Sequence, residues 1–321
     1  MDNDDISERS YAYVEAEKLM GEEEVERLTA FLRDHPNDPE CVRVNTLRYT
    51  VDEFLRVTGQ AGVQLKALPG ISTAFEVLDM SQEVREWWNR ARLFGMFYSQ
   101  GNASMLPPLF LLDRVGPELM VLDMCAAPGS KTTQMGAMMS NEGLLVANDW
   151  KAHRLYALHR NVQVFGIANA VVTNMDGRIL GKRWPDRFDR VLLDGPCSAT
   201  GSNRRQGFSK RSIKVVHSFQ QKQIGLLRAA AKALKAGEGR LIYSTCSLLP
   251  VENELILNPL LEEGRLAVEP LPELEGWVTH PGVTEWDDQS LSDQLRHTKR
   301  IYPHENDSDA FFIALLRKED V

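Results

Sequence analysis

The chain has 321 residues, 43% of them hydrophobic, and a formal net charge of −8. That length and composition suffice for two domains with a substantial core and exclude global disorder. No apolar run reaches the ~18 residues of a membrane span, and the acidic start (Asp2, Asp4, Asp5, Glu8) is unlike a transit or signal peptide, so a cytoplasmic protein is expected.

In chain order, Val14, Leu19, Val25, Leu28, Phe31 and Leu32 recur at near-helical spacing until His35-Pro36-Asn37-Asp38-Pro39 breaks the pattern. Residues 1–39 are therefore expected to form a helical segment. Residues 40–100 alternate as a strand (41–48), a short helix (50–60) and two more strands (62–68 and 74–80), which describes a small α+β module. From 101 to 321 the rhythm changes to βα repeats. Strands are expected at 119–124, 144–148, 170–174, 188–193 and 240–244, with helices after Ser130 and across 151–165 and 218–234. Such alternation means a parallel sheet covered by helices on both faces, and the run 310–316 suits a closing antiparallel strand. The fold class is thus α/β, with a Rossmann-like sheet preceded by the small module.

In an open α/β sheet, ligands lie beyond the carboxyl ends of the strands, where a turn meets a helix N-terminus. Cys125, Ala126, Ala127, Pro128, Gly129, Ser130 and Lys131 fill that turn in place of G-x-G-x-x-G, so close backbone approach to a pyrophosphate is not provided for. A cofactor without phosphate fits better. Asp149 ends the second strand, where an acid hydrogen-bonds both ribose hydroxyls, and Asp176 ends the third, where an acid reaches a base edge. A single strand-end aspartate is commonly a turn former, but the series points to S-adenosylmethionine. Lys131 stands in the first helical turn, where the macrodipole disfavours a cation; it serves a ligand carboxylate or the loop, or it reaches to solvent.

Cys41, Cys125, Cys197 and Cys246 lie far apart with no C-x-x-C pair, so no metal and no disulfide scaffold is expected. Cys197 and Cys246 follow runs that read as adjacent strands, which brings two thiols to one crevice. The acidic average also hides a basic stretch, since no Asp or Glu occurs between Asp194 and Glu238. Arg204, Arg205, Lys210, Arg211 and Lys214 follow a crevice turn directly and are expected to meet phosphates. Arg43 and Arg48 on the first strand either touch the same partner or are simply solvated. A monomer is expected.

The segments CAAPGSKTTQ (125–134), DGPCSATGSNRR (194–205) and YSTCSLLPVENE (243–254) resemble the Nop/Sun RNA cytosine-5 methyltransferases, with 102–107 and 43–48 looking like further blocks of that family. The resemblance runs from about residue 40 to the C-terminus. It implies a class I methyltransferase sheet, with the cofactor held by the 125–131 turn, Asp149, Asp176 and Asp194. It further implies Cys246 as nucleophile and Cys197 in product release. The chemistry needs such a thiol, because carbon 5 of cytosine is a poor nucleophile until a thiolate adds to carbon 6. Asp194 would hydrogen-bond the ring edge as charge builds there. DNA cytosine methyltransferases use a Pro-Cys nucleophile, so the opposite assignment of the two thiols stays open. Cys41 is expected in the core, and Cys125 along the cofactor loop without reacting. One departure is Ala199, where the family has Gly after Pro-Cys-Ser. The target base must be unpaired or flipped. Transfer RNA, as for archaeal-type members, is the expected substrate because the chain lacks long basic extensions, with ribosomal RNA as the alternative. A non-catalytic RNA-binding assembly factor and a small-molecule methyltransferase are rivals of other classes.

Overall fold

Helix α1 (Tyr11–Met20) and helix α2 (Glu22–Asp34) open the computed structural model, which describes residues 10–202 and 213–319. The Ser10 side chain caps α1 by accepting from the Tyr13 amide at 3.2 Å, and three glutamates fill the first turn of α2, where the helix dipole favours anions. Leu28 and Leu32 of α2 pack on Leu248, Tyr302 and Ala310, and Ala12 of α1 packs on Val216, Leu249 and Val251. Both helices therefore cover the segment that follows Cys246.

The small module comprises β1 (Cys41–Val44), α3 (Val51–Gln60), β2 (Gln64–Ala67), β3 (Ala74–Asp79), α4 (Gln82–Leu93) and β4 (Phe97–Ser99). Its antiparallel sheet runs β2-β3-β1-β4. Thr50 and Glu53 close a capping box on α3, so the helix starts where the expected pattern starts. Val42, Val44, Phe54, Phe75, Trp88 and Phe97 form the core, with Trp88 stacked on Phe97 at 4.1 Å between centroids.

After α5 (Leu106–Leu111), the larger sheet is built from β5 (Met120–Asp123), β6 (Leu144–Asn148), β7 (Ala170–Thr173), β8 (Arg190–Asp194) and β9 (Arg240–Thr245). All five are parallel, in the order β9-β8-β5-β6-β7. Helices α6 (Ser130–Met138), α7 (Ala152–Phe165), α8 (Gly177–Arg183) and α9 (Ile213–Ala233) cover it. Successive strand residues go to opposite faces: Val121, Leu192 and Ile242 join the core under α5, α6 and α7, while Leu122, Val191, Leu193, Leu241 and Tyr243 join the core under α8 and α9. Burial on both faces is what makes β5, β6, β8 and β9 read as continuous apolar runs, whereas the edge strand β7 is only partly buried.

The chain continues through α10 (Glu254–Glu262), β10 (Leu266–Glu269), β11 (His280–Pro281), a small hairpin of β12 (Glu285–Trp286) and β13 (Gln289–Ser290), β14 (Lys299–Ile301), α11 (Pro303–Asn306) and β15 (Phe311–Lys318). The closing strand β15 pairs antiparallel with β9, as its position in the sequence suggests, and its other partners are β14 and β10. No helix among the described residues is long and apolar enough to cross a membrane.

Candidate active site

Strand order reverses between β5 and β8, and at such a switch point the loops leave in opposite directions and open a crevice. The crevice here is lined by Met124, Cys125, Asp149, Trp150, Asp176 and Pro196, among others.

The turn after β5 is held from three sides. Gly129 has φ +107°, and a Cβ there would lie 3.0 Å from Leu158 Cδ1, so glycine is required both by the backbone and by the approach of α7. The Asp149 carboxylate accepts from the Ala127 amide at 3.2 Å and the Lys151 amide at 2.9 Å, and it pairs with Arg154 at 3.3 Å. Arg154 in turn donates to the Ala127 carbonyl. A carboxylate has about four acceptor positions, so Asp149 keeps room for a further hydroxyl. Asp176 caps α8 through the Arg178 amide and holds the Arg178 guanidinium through both oxygens. It lines the crevice with its side chain 30% exposed, which leaves its outer edge open to a ligand. The strand ends are tied together by Asn148, which the sequence did not single out. Its amide donates to the carbonyls of Met124 and Met175, and its oxygen accepts from Thr173 and the Met175 amide.

Lys131 lies buried and donates to Asp194 Oδ2 and Ser104 Oγ, both at 2.7 Å. Its partners are thus a strand-end carboxylate and a residue of the 102–107 block. Ser244 donates to the other oxygen of Asp194 at 2.8 Å. Asp123 is fully buried and its acid is pushed up to about 7 by desolvation, against the opposing hydrogen bond from Thr132 at 2.7 Å.

Beyond Asp194 the two thiols meet. Cys197 Sγ and Cys246 Sγ are 3.3 Å apart, at the ends of adjacent parallel strands, as their positions in the sequence require. The hydrogen bond between them pulls the Cys246 thiol below its ordinary range against desolvation, while the same bond and burial push Cys197 up. Burial also pushes the Cys125 thiol far up, and Cys41 is buried in the core.

Ala199 follows the Cys197 turn with φ +56°, a left-handed conformation that costs a residue with a Cβ about 1–2 kcal/mol. Ala199→Gly is therefore expected to stabilise the protein. After the larger unfolded-state entropy of glycine is subtracted, the gain is about 0.5–1 kcal/mol, seen as a higher urea midpoint at unchanged slope. A lower midpoint would show the turn to be unstrained.

The arginines of the first strand part company. Arg43 is buried, which corrects the expectation that it meets RNA. Its guanidinium donates to Gln100 at 3.1 Å, to the Ser130 carbonyl at 3.2 Å and to Thr133 at 3.0 Å, joining β1 to the first turn of α6. Arg48 is exposed and donates to the Phe94 carbonyl, and Lys214 is exposed at the start of α9. Arg204, Arg205, Lys210 and Arg211 lie outside the described residues.

A switch-point crevice rimmed by strand-end acids, with no phosphate-binding glycine turn, defines the Rossmann-type class I methyltransferases. The chain belongs to the RsmB/F family: the model described as 16S rRNA methyltransferase RsmB/F matches residues 110–317. It is similar to ribosomal RNA small subunit methyltransferase F of Vibrio atlanticus, with 37% identity over 281 residues, 87% of this chain and 57% of that protein. The chain thus spans little more than half the length of such relatives. Among solved structures it is similar to a methyltransferase homolog protein from Pyrococcus horikoshii, with 30% identity, a TM-score of 0.81 and coverage of 95% and 94% of the two chains. The fold also matches NSun6 of Pyrococcus horikoshii, with 22% identity, a TM-score of 0.82 and coverage of 97% and 99%.

Proposed function

We propose that this chain is an S-adenosylmethionine-dependent RNA cytosine-5 methyltransferase acting on small-subunit ribosomal RNA. The observation that carries the activity is the meeting of Cys197 and Cys246 at 3.3 Å beside the switch-point crevice. The ribosomal substrate rests on the names of the relatives, and it is favoured over the expectation of transfer RNA, which was drawn from a short chain without long basic extensions. Work on such an RNA belongs in the cytoplasm.

The donor set fits the cofactor. Asp149 has acceptor capacity left for ribose, Asp176 offers an outer carboxylate edge, and the apolar wall of Met124, Cys125 and Pro196 suits an uncharged base. S-adenosylmethionine, when bound there, supplies the methyl electrophile for carbon 5. The protein's own part begins with the Cys246 thiolate, which adds to carbon 6 of the flipped cytosine and moves the carbon 5–carbon 6 electron pair toward carbon 5 and the ring edge. Asp194, ion-paired with Lys131, offers an acceptor to the exocyclic amine of that edge. Once the carbon 5 proton has left as H⁺, its electron pair restores the double bond and expels the Cys246 thiolate. Cys197, adjacent to the departing sulfur, is assigned to this release.

The purified protein, given radiolabelled S-adenosylmethionine with small-subunit ribosomal RNA or with bulk transfer RNA, is expected to label the ribosomal RNA at cytosine 5. Label in transfer RNA alone would change the substrate, and label in neither would overturn the activity. Asp149→Ala is expected to weaken cofactor binding by about 1.5–3 kcal/mol, the value of a charged hydrogen bond. Unchanged affinity by calorimetry would remove Asp149 from the cofactor site.

A further inference from the structure

Behind the two thiols lies a carboxylate that the mechanism does not use. Glu252 is fully buried, and its Oε1 accepts from the Ser198 amide at 2.8 Å while its Oε2 accepts from Ser198 Oγ at 2.5 Å and Ser247 Oγ at 2.6 Å. Ser198 is the residue after Cys197, and Ser247 is the residue after Cys246. One side chain therefore grips the residue following each sulfur. The backbone around it is fixed as well: the Glu252 carbonyl accepts from Tyr243 at 2.6 Å, and the next residue, Asn253, accepts from Thr245 at 2.5 Å and donates to the Ser247 carbonyl at 2.9 Å. Thr200 completes the network, 3.0 Å from Ser247 Oγ.

We propose that Glu252 is a positioning residue that sets the two cysteine turns in register, so that attack by Cys246 and release by Cys197 take place on one bound base. The proposal rests on the cytosine-5 reading above. A buried carboxylate is costly unless its hydrogen bonds are complete, and here both oxygens are engaged, each by a residue that follows one of the cysteines or by both such residues. Both serine hydroxyls donate to the same carboxylate oxygen, which ties the two turns through one side chain. The two grips are separable. Ser198 anchors the turn of the release cysteine, and Ser247 anchors the turn of the nucleophile. Glutamine at position 252 keeps an acceptor for the Ser198 amide and turns its two amide hydrogens to the hydroxyls, which rotate to accept. Its geometry is conserved, and alanine removes the link altogether.

The test measures kcat, KM for RNA, and the protein–RNA adduct that survives denaturing gels. With kcat referred to the folded protein measured by circular dichroism, Glu252→Ala is expected to lower kcat at least about tenfold with KM changed less than about threefold, and Glu252→Gln to recover to within about threefold of the parent. Ser198→Ala should raise the adduct fraction, whereas Ser247→Ala should slow adduct formation. Identical behaviour of the two serine variants, or a kcat for Glu252→Ala within about twofold of the parent, overturns the proposal. An arm independent of RNA uses diamide, which removes the two thiol hydrogens and leaves a Cys197–Cys246 disulfide. Closure is expected to be about tenfold slower in Glu252→Ala because the sulfurs no longer meet, and an unchanged rate overturns the proposal. If the parent protein forms neither methylated RNA nor a Cys246-dependent adduct while the diamide result holds, the failure lies with the proposed function and not with the clamp. Should Glu252→Ala not fold, the serine pair and Glu252→Gln decide the matter.

Discussion

Replacing Cys246 by alanine is expected to remove methyl transfer by roughly 10³-fold or more and to abolish the covalent adduct, because no other side chain supplies the bond to carbon 6. Replacing Cys197 should have the opposite signature: attack continues, release fails, and a protein–RNA adduct accumulates that resists denaturing gels. An adduct that requires Cys197 and ignores Cys246 would reverse the two roles. The thiol equilibrium provides a second readout. Cys246 is pulled down by the hydrogen bond from Cys197, against desolvation, so at neutral pH iodoacetamide should modify Cys246 before Cys197 or Cys125. In Cys197→Ala the donor is gone, and the Cys246 thiol rises. Its alkylation midpoint should therefore move to higher pH, and a midpoint that stays or falls would deny the hydrogen bond its role.

Arg300→Ala is expected to destabilise the protein by about 3–5 kcal/mol, as for other buried pairs that lose one partner. Arg300 and Glu254 are both buried, joined through two hydrogen bonds, with Nε to Oε1 at 2.7 Å. Arg300 Nη1 also donates to the Leu248 carbonyl at 2.9 Å, and Glu254 accepts from the Val283 amide at 3.0 Å. Removing the arginine leaves a carboxylate without water or counter-charge. Replacing both partners together, as Arg300→Met with Glu254→Leu, should recover at least about half of the loss, because the desolvation cost disappears with the charges. Urea unfolding of the single and double variants checks both statements. A loss below about 1 kcal/mol for Arg300→Ala would place the pair with weak surface bridges.

The parallel strands were legible in the sequence because burial on both faces leaves unbroken apolar runs. The strand-end acids and thiols followed from those runs, since topology alone carries them to one edge of the sheet. Helix α4 was not legible: Trp88 is its one buried residue, so no apolar stripe marks it. Strands β11 to β14 hold two or three residues each, too few to show a period. Arg43 misled for a different reason. All four residues of β1 are buried, and the partners of the guanidinium, Gln100, Ser130 and Thr133, are distant in the chain. Glu252 lay inside a quoted motif, but its link to Ser198 exists only once β8 and β9 lie side by side.

The seam that Arg43 makes has a mechanical consequence. Asn45 extends it by donating to the Phe165 carbonyl at 3.2 Å, so the first strand is stitched to the ends of both α6 and α7. The small module and the large sheet then share polar fastenings, which resist a change in the distance from the outer module to the paired sulfurs. On the proposed function, an RNA laid across both would have to bend to that span for a nucleotide to reach Cys246.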